Sequence, residues 1–222
     1  MQHNLCENWC TNARWKSFSI QYSPISGNSS GLYRFNDQTW TYSNGWYCSQ
    51  FRARKSYFPD RYTEKPLILF RIFNYPPNSS LSESKWGVSE HTDYGVLTIL
   101  KQDNTGGLQV KLKSGWIDAP PIPGSFVCNI GDILDRMTRG LYRSTPHRVQ
   151  NRSTSSRLSF SFFFDPNFNI EVKPIELDGI VVNDNQSDRW DKASVHEFRG
   201  TYGDYLLNKV SKVFPELRQT VF

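Results

Sequence analysis

The sequence has no long apolar run and no block of a single charge. No stretch approaches the roughly 20 apolar residues that a membrane helix requires, and residues 1–14 lack the apolar core of a secretory signal. The 26 basic and 21 acidic residues are interspersed, so the net charge of +5 gives no indication of a nucleic-acid partner. We therefore expect a cytoplasmic protein that binds neither nucleic acid nor a membrane.

Cysteine and histidine are both scarce, with four residues of each. The cysteines fall in no zinc-binding spacing, because their one close pair has no second pair downstream. His3 lies in an unpatterned terminus and His196 in a polar stretch before the last predicted helix, so we assign both to the surface. His91 and His147 remain as candidates for chemistry.

Three zones of different texture divide the chain. Residues 1–56 are rich in Ser, Asn, Trp and Tyr and follow neither a helical period nor a strand alternation. A short irregular β region and a poorly ordered lead-in both fit this zone. We expect 1–56 to be an atypical N-terminal segment, irregular or truncated, and 57–222 to form one domain with its β core at about 65–165.

Short β-rich runs broken by turn residues fill the central zone. We predict strands at 67–75, 96–101, 107–112, 116–119, 125–130, 147–150 and 157–165. We predict helices at 132–137 and 203–213, the second with an apolar face at helical spacing. This many short strands in about 100 residues indicates a mainly β protein of the jelly-roll type, with a C-terminal helix packed on the sheet.

A metal site is predicted by His91, Asp93 and His147. His91 and Asp93 are separated by one residue, so in an extended chain an imidazole and a carboxylate converge on one point. His147 lies in a run that reads as a strand of the same sheet and supplies a third ligand. Two histidines and one carboxylate bind iron(II) on one face and leave coordination positions open for oxygen activation. A His-x-Asp pair by itself also arises by chance.

An anion-binding arm is predicted at Arg157 and Ser159. Both face one side of the last strand, and an inward arginine on this aromatic strand is costly unless it meets an anion. A guanidinium beside a hydroxyl suits the far carboxylate of a dicarboxylate. An internal ion pair to Asp or Glu is the alternative. Tyr75, which ends the first strand, is a weaker candidate for the same carboxylate.

These residues together resemble a known family. His91-x-Asp93, His147, Arg157-x-Ser159 and Tyr75-Pro-Pro stand beside the phrases WGVSEHTDYG (86–95), GGLQV (106–110), NIGD (129–132) and STPHRV (144–149). The set is similar to the isopenicillin N synthase-like branch of the iron(II)/2-oxoglutarate-dependent dioxygenases. The likeness extends from about residue 57 to the C-terminus.

The resemblance implies a double-stranded β-helix, a distorted jelly roll with iron(II) inside one mouth. It implies that 2-oxoglutarate and O2 are co-substrates, that Arg157, Ser159 and Tyr75 hold the far carboxylate of 2-oxoglutarate, and that hydroxylation or desaturation of a small molecule is the outcome. We expect a monomer. Trp86, Leu97 and Phe163 are expected to line an apolar substrate pocket.

Two departures from the family pattern bear on function. Residues 1–56 do not resemble the longer N-terminal portion of family members, and Phe73 stands where many plant relatives have Asn. An oxidase that uses no 2-oxoglutarate remains open, because it would use the same Arg, Ser and Tyr. A catalytically silent barrel that binds a small acid or a protein remains open too. A zinc hydrolase is disfavoured because no dedicated general base is evident.

Overall fold

The computed structural model describes residues 16–19, 57–77, 86–175, 189 and 198–213. The strands within these residues are β1 Lys16–Ser19, β2 Leu67–Tyr75, β3 Val88–His91, β4 Leu97–Gln102, β5 Leu108–Leu112, β6 Gly115–Asp118, β7 Ser125–Ile130, β8 His147–Val149 and β9 Arg157–Asp165. The helices are α1 Tyr57–Arg61, α2 Asp132–Met137 and α3 Tyr202–Val213. Among them, none combines the length and apolarity that crossing a bilayer would take.

The strands form two antiparallel sheets. The major sheet has the order β1-β7-β4-β9-β2, and the minor sheet has the order β3-β8-β5-β6. From β2 to β5, successive strands alternate between the two sheets. Tyr75 of the major sheet packs with Leu108 and Val149 of the minor sheet, so the sheets lie face to face. This arrangement confirms the predicted jelly roll.

The two faces of the major sheet have different surroundings. Leu97 and Ile99 of β4 face outward, away from the minor sheet, and join the main apolar core. Thr98 and Gln102 point to the inner face between the sheets, because successive side chains of a strand alternate. The outer core also contains these buried residues of β9, α2 and α3: Phe162, Phe164, Ile133, Leu134, Met137, Tyr202 and Tyr205. The C-terminal helix therefore flanks the sheet, as predicted.

Most element bounds match the sequence predictions, with two omissions. β2, β7, β9 and α2 have the predicted ends, and α3 begins one residue earlier than predicted. β3 was not predicted as a strand, because it has only four residues and its register with β8 shifts between Val88 and His91. β1 pairs with β7 within the segment that showed no pattern. The other predictions for 1–56 concern residues outside the described ranges.

A buried acid joins the last strand to the C-terminal helix. Asp165 is 8% exposed and accepts a hydrogen bond of 2.6 Å from the Tyr202 hydroxyl. Burial raises the pKa of Asp165 to about 7, the negative charge of Asp93 adds to the rise, and the hydrogen bond from Tyr202 opposes it. The folded protein therefore holds a proton on Asp165 more tightly than the unfolded chain does.

The stability of the protein is expected to fall as this proton is lost. Asp165 ionises near pH 3.9 in an unfolded chain, so the stabilisation is fully present below about pH 4 and is lost as the pH rises to about 7. Asp165→Asn should remove this slope from urea unfolding curves of the metal-free protein, whereas Glu64→Gln, at an exposed acid, should keep it. Parallel pH profiles for wild type and Asp165→Asn would contradict the expectation.

Candidate active site

Three potential metal ligands converge at one mouth of the sandwich. His91 ends β3, His147 begins β8, and the two are direct cross-strand partners. Asp93 follows β3 in the loop to β4, and its Oδ1 lies 3.9 Å from His91 Nε2 and 3.6 Å from His147 Nε2. One ligand atom from each of the three residues lies within 4.8 Å of the others. The predicted ligands are therefore brought together, although Asp93 comes from a loop instead of the strand.

Backbone carbonyls fix both imidazoles. The Nδ1 atom of His91 lies 2.7 Å from the carbonyl oxygen of Ser89, and that of His147 lies 3.1 Å from the carbonyl oxygen of Thr145. A carbonyl only accepts hydrogen bonds, so we infer that Nδ1 carries the proton in each ring. The lone pair of each Nε2 is then directed at the centre, as metal binding requires.

The carboxylate of Asp93 is oriented from the major sheet. Its Oδ2 accepts hydrogen bonds of 2.6 Å from both Thr98 Oγ1 and Asn129 Nδ2, which leaves Oδ1 to face the histidines. Neither donor was identified as a site residue from the sequence, where 129–132 stood out only as a phrase that resembles the family. The alternation of side chains along β4 and β7 was the available signal, because it places both polar side chains on the inner face between the sheets.

The protonation states suit a metal cation. Burial raises the pKa of Asp93, but His147, the hydrogen bonds from Asn129 and Thr98, and His91 outweigh burial and hold the pKa below its ordinary value. Burial and the neighbouring His147 lower the pKa of His91, against the opposing effect of Asp93. An ionised carboxylate beside a neutral imidazole is the donor set that a divalent metal needs.

The loop that carries Asp93 is tied to the start of α2. Asp132 N donates to the Asp93 carbonyl at 2.8 Å, and Ile133 N donates to the Gly95 carbonyl at 3.1 Å. A Cβ atom at Gly131 would collide with the Gly95 carbonyl and come within 2.9 Å of the Asp93 carbonyl oxygen. Glycine at 131 therefore allows the close approach that holds this loop in place.

Asn129→Leu is expected to weaken metal binding without removing a ligand. Asp93 Oδ2 would lose one of its two donors, and loss of such a partner typically costs about 10- to 100-fold in metal affinity. Competition with a chromophoric chelator for Mn(II) or Fe(II) measures the change. Asn208→Leu removes an exposed carboxamide on α3 and should leave affinity unchanged; equal affinities for the two variants would contradict the role of Asn129.

The predicted anion arm lies on the same inner face. Arg157 has 0% exposure, Ser159 is buried two positions along β9, and Tyr75 is the cross-strand partner of Arg157. The guanidinium carbon lies 4.9 Å from the centre of the Tyr75 ring. Among the described residues no carboxylate lies within ion-pair distance of Arg157, so the alternative of an internal ion pair is not what the structure shows.

One nitrogen of the Arg157 guanidinium makes no hydrogen bond to the described residues. Nε donates to the Gly106 carbonyl at 2.5 Å, and Nη2 donates to Gln102 Oε1 at 3.0 Å. Nη1 is buried and has no hydrogen-bond partner within the described part of the chain. Gln102, which the sequence did not single out, is fixed by its own bond of 3.1 Å to the Ala119 carbonyl. An unpaired buried donor on a cation is costly unless an anion meets it.

Burial also acts on the charge of this arm. It lowers the pKa of Arg157, while Tyr75 and Asp103 act in the opposite direction. An arginine still remains protonated at neutral pH. The inner face therefore carries a buried positive charge, a hydroxyl from Ser159 and the ring of Tyr75 in the same sandwich as the three potential metal ligands.

Two of the three predicted pocket residues face elsewhere. Leu97 packs in the outer core, on the face of β4 opposite to Thr98. Trp86 stacks on Arg148, whose guanidinium lies 4.0 Å from its ring centre, and Arg148 faces away from the neighbouring His147. Leu97 faces the outer core because side chains alternate along β4, and Trp86, which precedes β3, packs on Arg148, so neither position supports the predicted pocket role. Phe163 is the cross-strand partner of Thr98 and lies on the inner face, where its pocket role stays a prediction.

A centre of two histidines and one carboxylate inside a two-sheet antiparallel sandwich defines a class, the mononuclear non-haem iron oxygenases of jelly-roll fold. Residues 64–166 match the family model described as the 2OG-Fe(II) oxygenase superfamily. The chain belongs to this superfamily, as the resemblance in its motifs indicated.

Relatives and solved structures agree with this assignment. The chain is 59% identical over 183 residues to a Dictyostelium discoideum protein named "Probable iron/ascorbate oxidoreductase", covering 74% of this chain and 50% of the relative. It is 42% identical to a 1-aminocyclopropane-1-carboxylate oxidase of Dictyostelium mucoroides, covering 73% and 52%. A full-length Neurospora crassa protein, crystallised in complex with alpha-KG, superposes with a TM-score of 0.66 at 25% identity, covering 89% and 69%. The chain spans about half the length of the curated relatives it matches.

Proposed function

We propose that the chain is an iron(II)- and 2-oxoglutarate-dependent oxygenase that hydroxylates or desaturates a small organic molecule. One observation carries the proposal: three potential metal ligands share an interior with a buried arginine whose Nη1 atom has no partner among the described residues. We further propose that residues 57–222 form the catalytic domain. Bound iron would engage the three potential ligands, and a bound dicarboxylate would give Arg157 Nη1 a partner.

The residues fit the two groups chemically. His91, Asp93 and His147 would hold iron(II), and bound iron supplies the activation of dioxygen that the organic side chains lack. Arg157, Ser159 and Tyr75 would hold the far carboxylate of 2-oxoglutarate through a charge-assisted hydrogen bond from Nη1 and through hydroxyl groups. Gly106 and Gln102 engage one N–H each of Nε and Nη2, so both N–H groups of Nη1 and the second N–H of Nη2 remain to meet a carboxylate.

The chain's own groups also keep the interior ordered before any ligand arrives. Thr98 and Asn129 hold Asp93 with one oxygen facing the histidines, and Tyr75, Leu108 and Val149 fill the space between the sheets with apolar surface. Such an interior excludes bulk water and strengthens the interaction of Arg157 with an anion.

A small molecule as substrate agrees with the names of relatives. Homologues include a 1-aminocyclopropane-1-carboxylate oxidase and a homoarginine-6-hydroxylase of Glycine max, the latter 40% identical over 159 residues. A cytoplasmic protein without a nucleic-acid or membrane partner stays our prediction from the scattered charges and short apolar runs of the sequence. The monomeric state also stays a prediction.

The proposal is tested by anaerobic titration of the iron(II)-loaded protein with 2-oxoglutarate, followed by oxygen and an assay for succinate. A visible charge-transfer band on titration and succinate after oxygen would support it. One equivalent of bound iron with neither band nor succinate would favour the oxidase that works without 2-oxoglutarate. A folded protein that binds no iron would overturn the assignment.

A further inference from the structure

The edge strand β2 carries a second cation on the inner face. β2 is the last strand of the major sheet in the described order. Its residues Leu69, Arg71, Phe73 and Tyr75 alternate onto one face, and Tyr75 and Phe73 pack in the cluster between the sheets. Arg71 therefore points to the same interior as Arg157, but it is exposed where Arg157 is buried.

Strand register places Arg71 close to the metal centre. Leu69, Phe163 and Thr98 are successive cross-strand partners across three strands, and Thr98 donates to the Asp93 carboxylate. Arg71 is the partner of Ser161, which is one inner-face position from Phe163 in the direction of Arg157. With strands about 4.8 Å apart and residues rising about 3.3 Å, the Cα atoms of Arg71 and Thr98 are separated by roughly 12 Å. The long side chain of Arg71 can span much of that distance.

The charge of Arg71 is not neutralised by a neighbouring carboxylate in the described part of the chain. The described residues show no hydrogen bond or ion pair to the Arg71 side chain, so its charge remains available at the mouth.

Apolar side chains lie to one side of Arg71, whose cross-strand partner Ser161 is polar. Leu69 is 40% exposed on the same face, and half-buried Phe163 lies beside it on β9. Arg71 and Tyr75, the residue opposite Arg157, are four positions apart on β2, which corresponds to roughly 13 Å. The inner face thus offers two separate cations: a buried one at one end of the strand, and an exposed one beside apolar surface near the metal ligands.

We propose that Arg71 binds the carboxylate of the organic substrate, and that the chain accordingly oxidises a small carboxylic acid whose apolar body lies against Leu69 and Phe163. The proposal rests on the proposed function, because it takes Arg157 to be occupied by the co-substrate. It assigns different anions to the two arginines: a dicarboxylate co-substrate to the buried one and a monocarboxylate to the exposed one.

The test compares free acids with their uncharged counterparts. A fixed panel of aliphatic, aromatic and amino acids, each paired with its own primary carboxamide, is titrated by anaerobic calorimetry into the iron(II)-loaded protein with 2-oxoglutarate present. The proteins are wild type, Arg71→Gln, Arg71→Lys and the control Arg61→Gln, which removes an exposed arginine on α1. The 2-oxoglutarate affinity of each is measured separately from the charge-transfer band.

Wild type is expected to bind acids in preference to amides. Arg71→Gln should weaken acid binding about tenfold, as loss of a charge-assisted contact does, while leaving amide binding and 2-oxoglutarate affinity unchanged. Arg71→Lys should restore part of the preference, and Arg61→Gln should match wild type. Wild type that binds 2-oxoglutarate but no acid, or acids and amides equally, would overturn the proposal, as would full acid affinity in Arg71→Gln. Failure of wild type to bind 2-oxoglutarate counts against the proposed function instead.

Discussion

His147→Ala is expected to abolish iron binding and turnover together. The variant would keep only His91 and Asp93, two ligands that cannot cap one face of an octahedral metal. The loss should exceed the roughly 10- to 100-fold that removal of a hydrogen-bonded partner of a ligand causes. Colorimetric iron determination after anaerobic loading and desalting gives the stoichiometry, and succinate formation gives the turnover.

The matched control is His196→Ala, which removes one of the two histidines that the sequence assigns to the surface. It should retain about one equivalent of iron by the same three-ligand logic. The His147 ring also packs against His91 at a centroid distance of 4.2 Å, so its removal could affect folding. Circular dichroism checks that both variants are folded. Full iron retention and full activity in His147→Ala would refute the assignment of the metal ligands.

Arg157→Ala is expected to keep iron but to lose most of the affinity for 2-oxoglutarate. A hydrogen bond to a charged group contributes about 1.5–3 kcal/mol, so the dissociation constant should rise about 10- to 100-fold. The charge-transfer band measures this constant directly. The unfolding free energy should also fall, because Gln102 Oε1 and the Gly106 carbonyl each lose a donor inside the protein.

A companion variant separates charge from geometry at this position. Arg157→Lys keeps the positive charge but cannot reach Gly106, Gln102 and an anion at once from a single ammonium group. Its 2-oxoglutarate affinity should lie between those of wild type and Arg157→Ala. Arg152→Ala, at an exposed arginine on the β8–β9 loop, should behave as wild type. An unchanged dissociation constant in Arg157→Ala would show that the co-substrate binds elsewhere.

The strands were predictable where alternation and turn residues agreed. β2, β7 and β9 combine β-branched or aromatic residues with clear breaks at both ends, and their bounds match the structure. β3 was not predicted, because four residues show too little alternation and its pairing with β8 is irregular. β1 gains its structure from pairing with β7, a contact between distant parts of the chain that no local pattern reveals.

The site was predictable as far as residue type alone identifies chemistry. Histidine is scarce in this chain, Asp93 and Arg157 stand at informative spacings from the two histidines, and the structure brings the three potential ligands together. Gln102, by contrast, is an ordinary polar strand residue whose contact with Arg157 spans 55 positions of the chain.

Leu97 shows a similar limit. It was expected to line the pocket because it is apolar, but a shift of one residue on a strand moves a side chain to the opposite face. Thr98, the next residue, makes the contact with Asp93.

The candidate metal centre is positioned by both sheets, so the distance between the sheets affects its geometry. His91 and His147 belong to the minor sheet, whereas Asp93 is anchored by Thr98 and Asn129 of the major sheet. The separation of the sheets depends in turn on the apolar cluster around Tyr75, Leu108 and Val149. Side chains outside the candidate triad therefore contribute to the distance between its ligand atoms, so we expect a change of volume in that cluster to alter metal affinity.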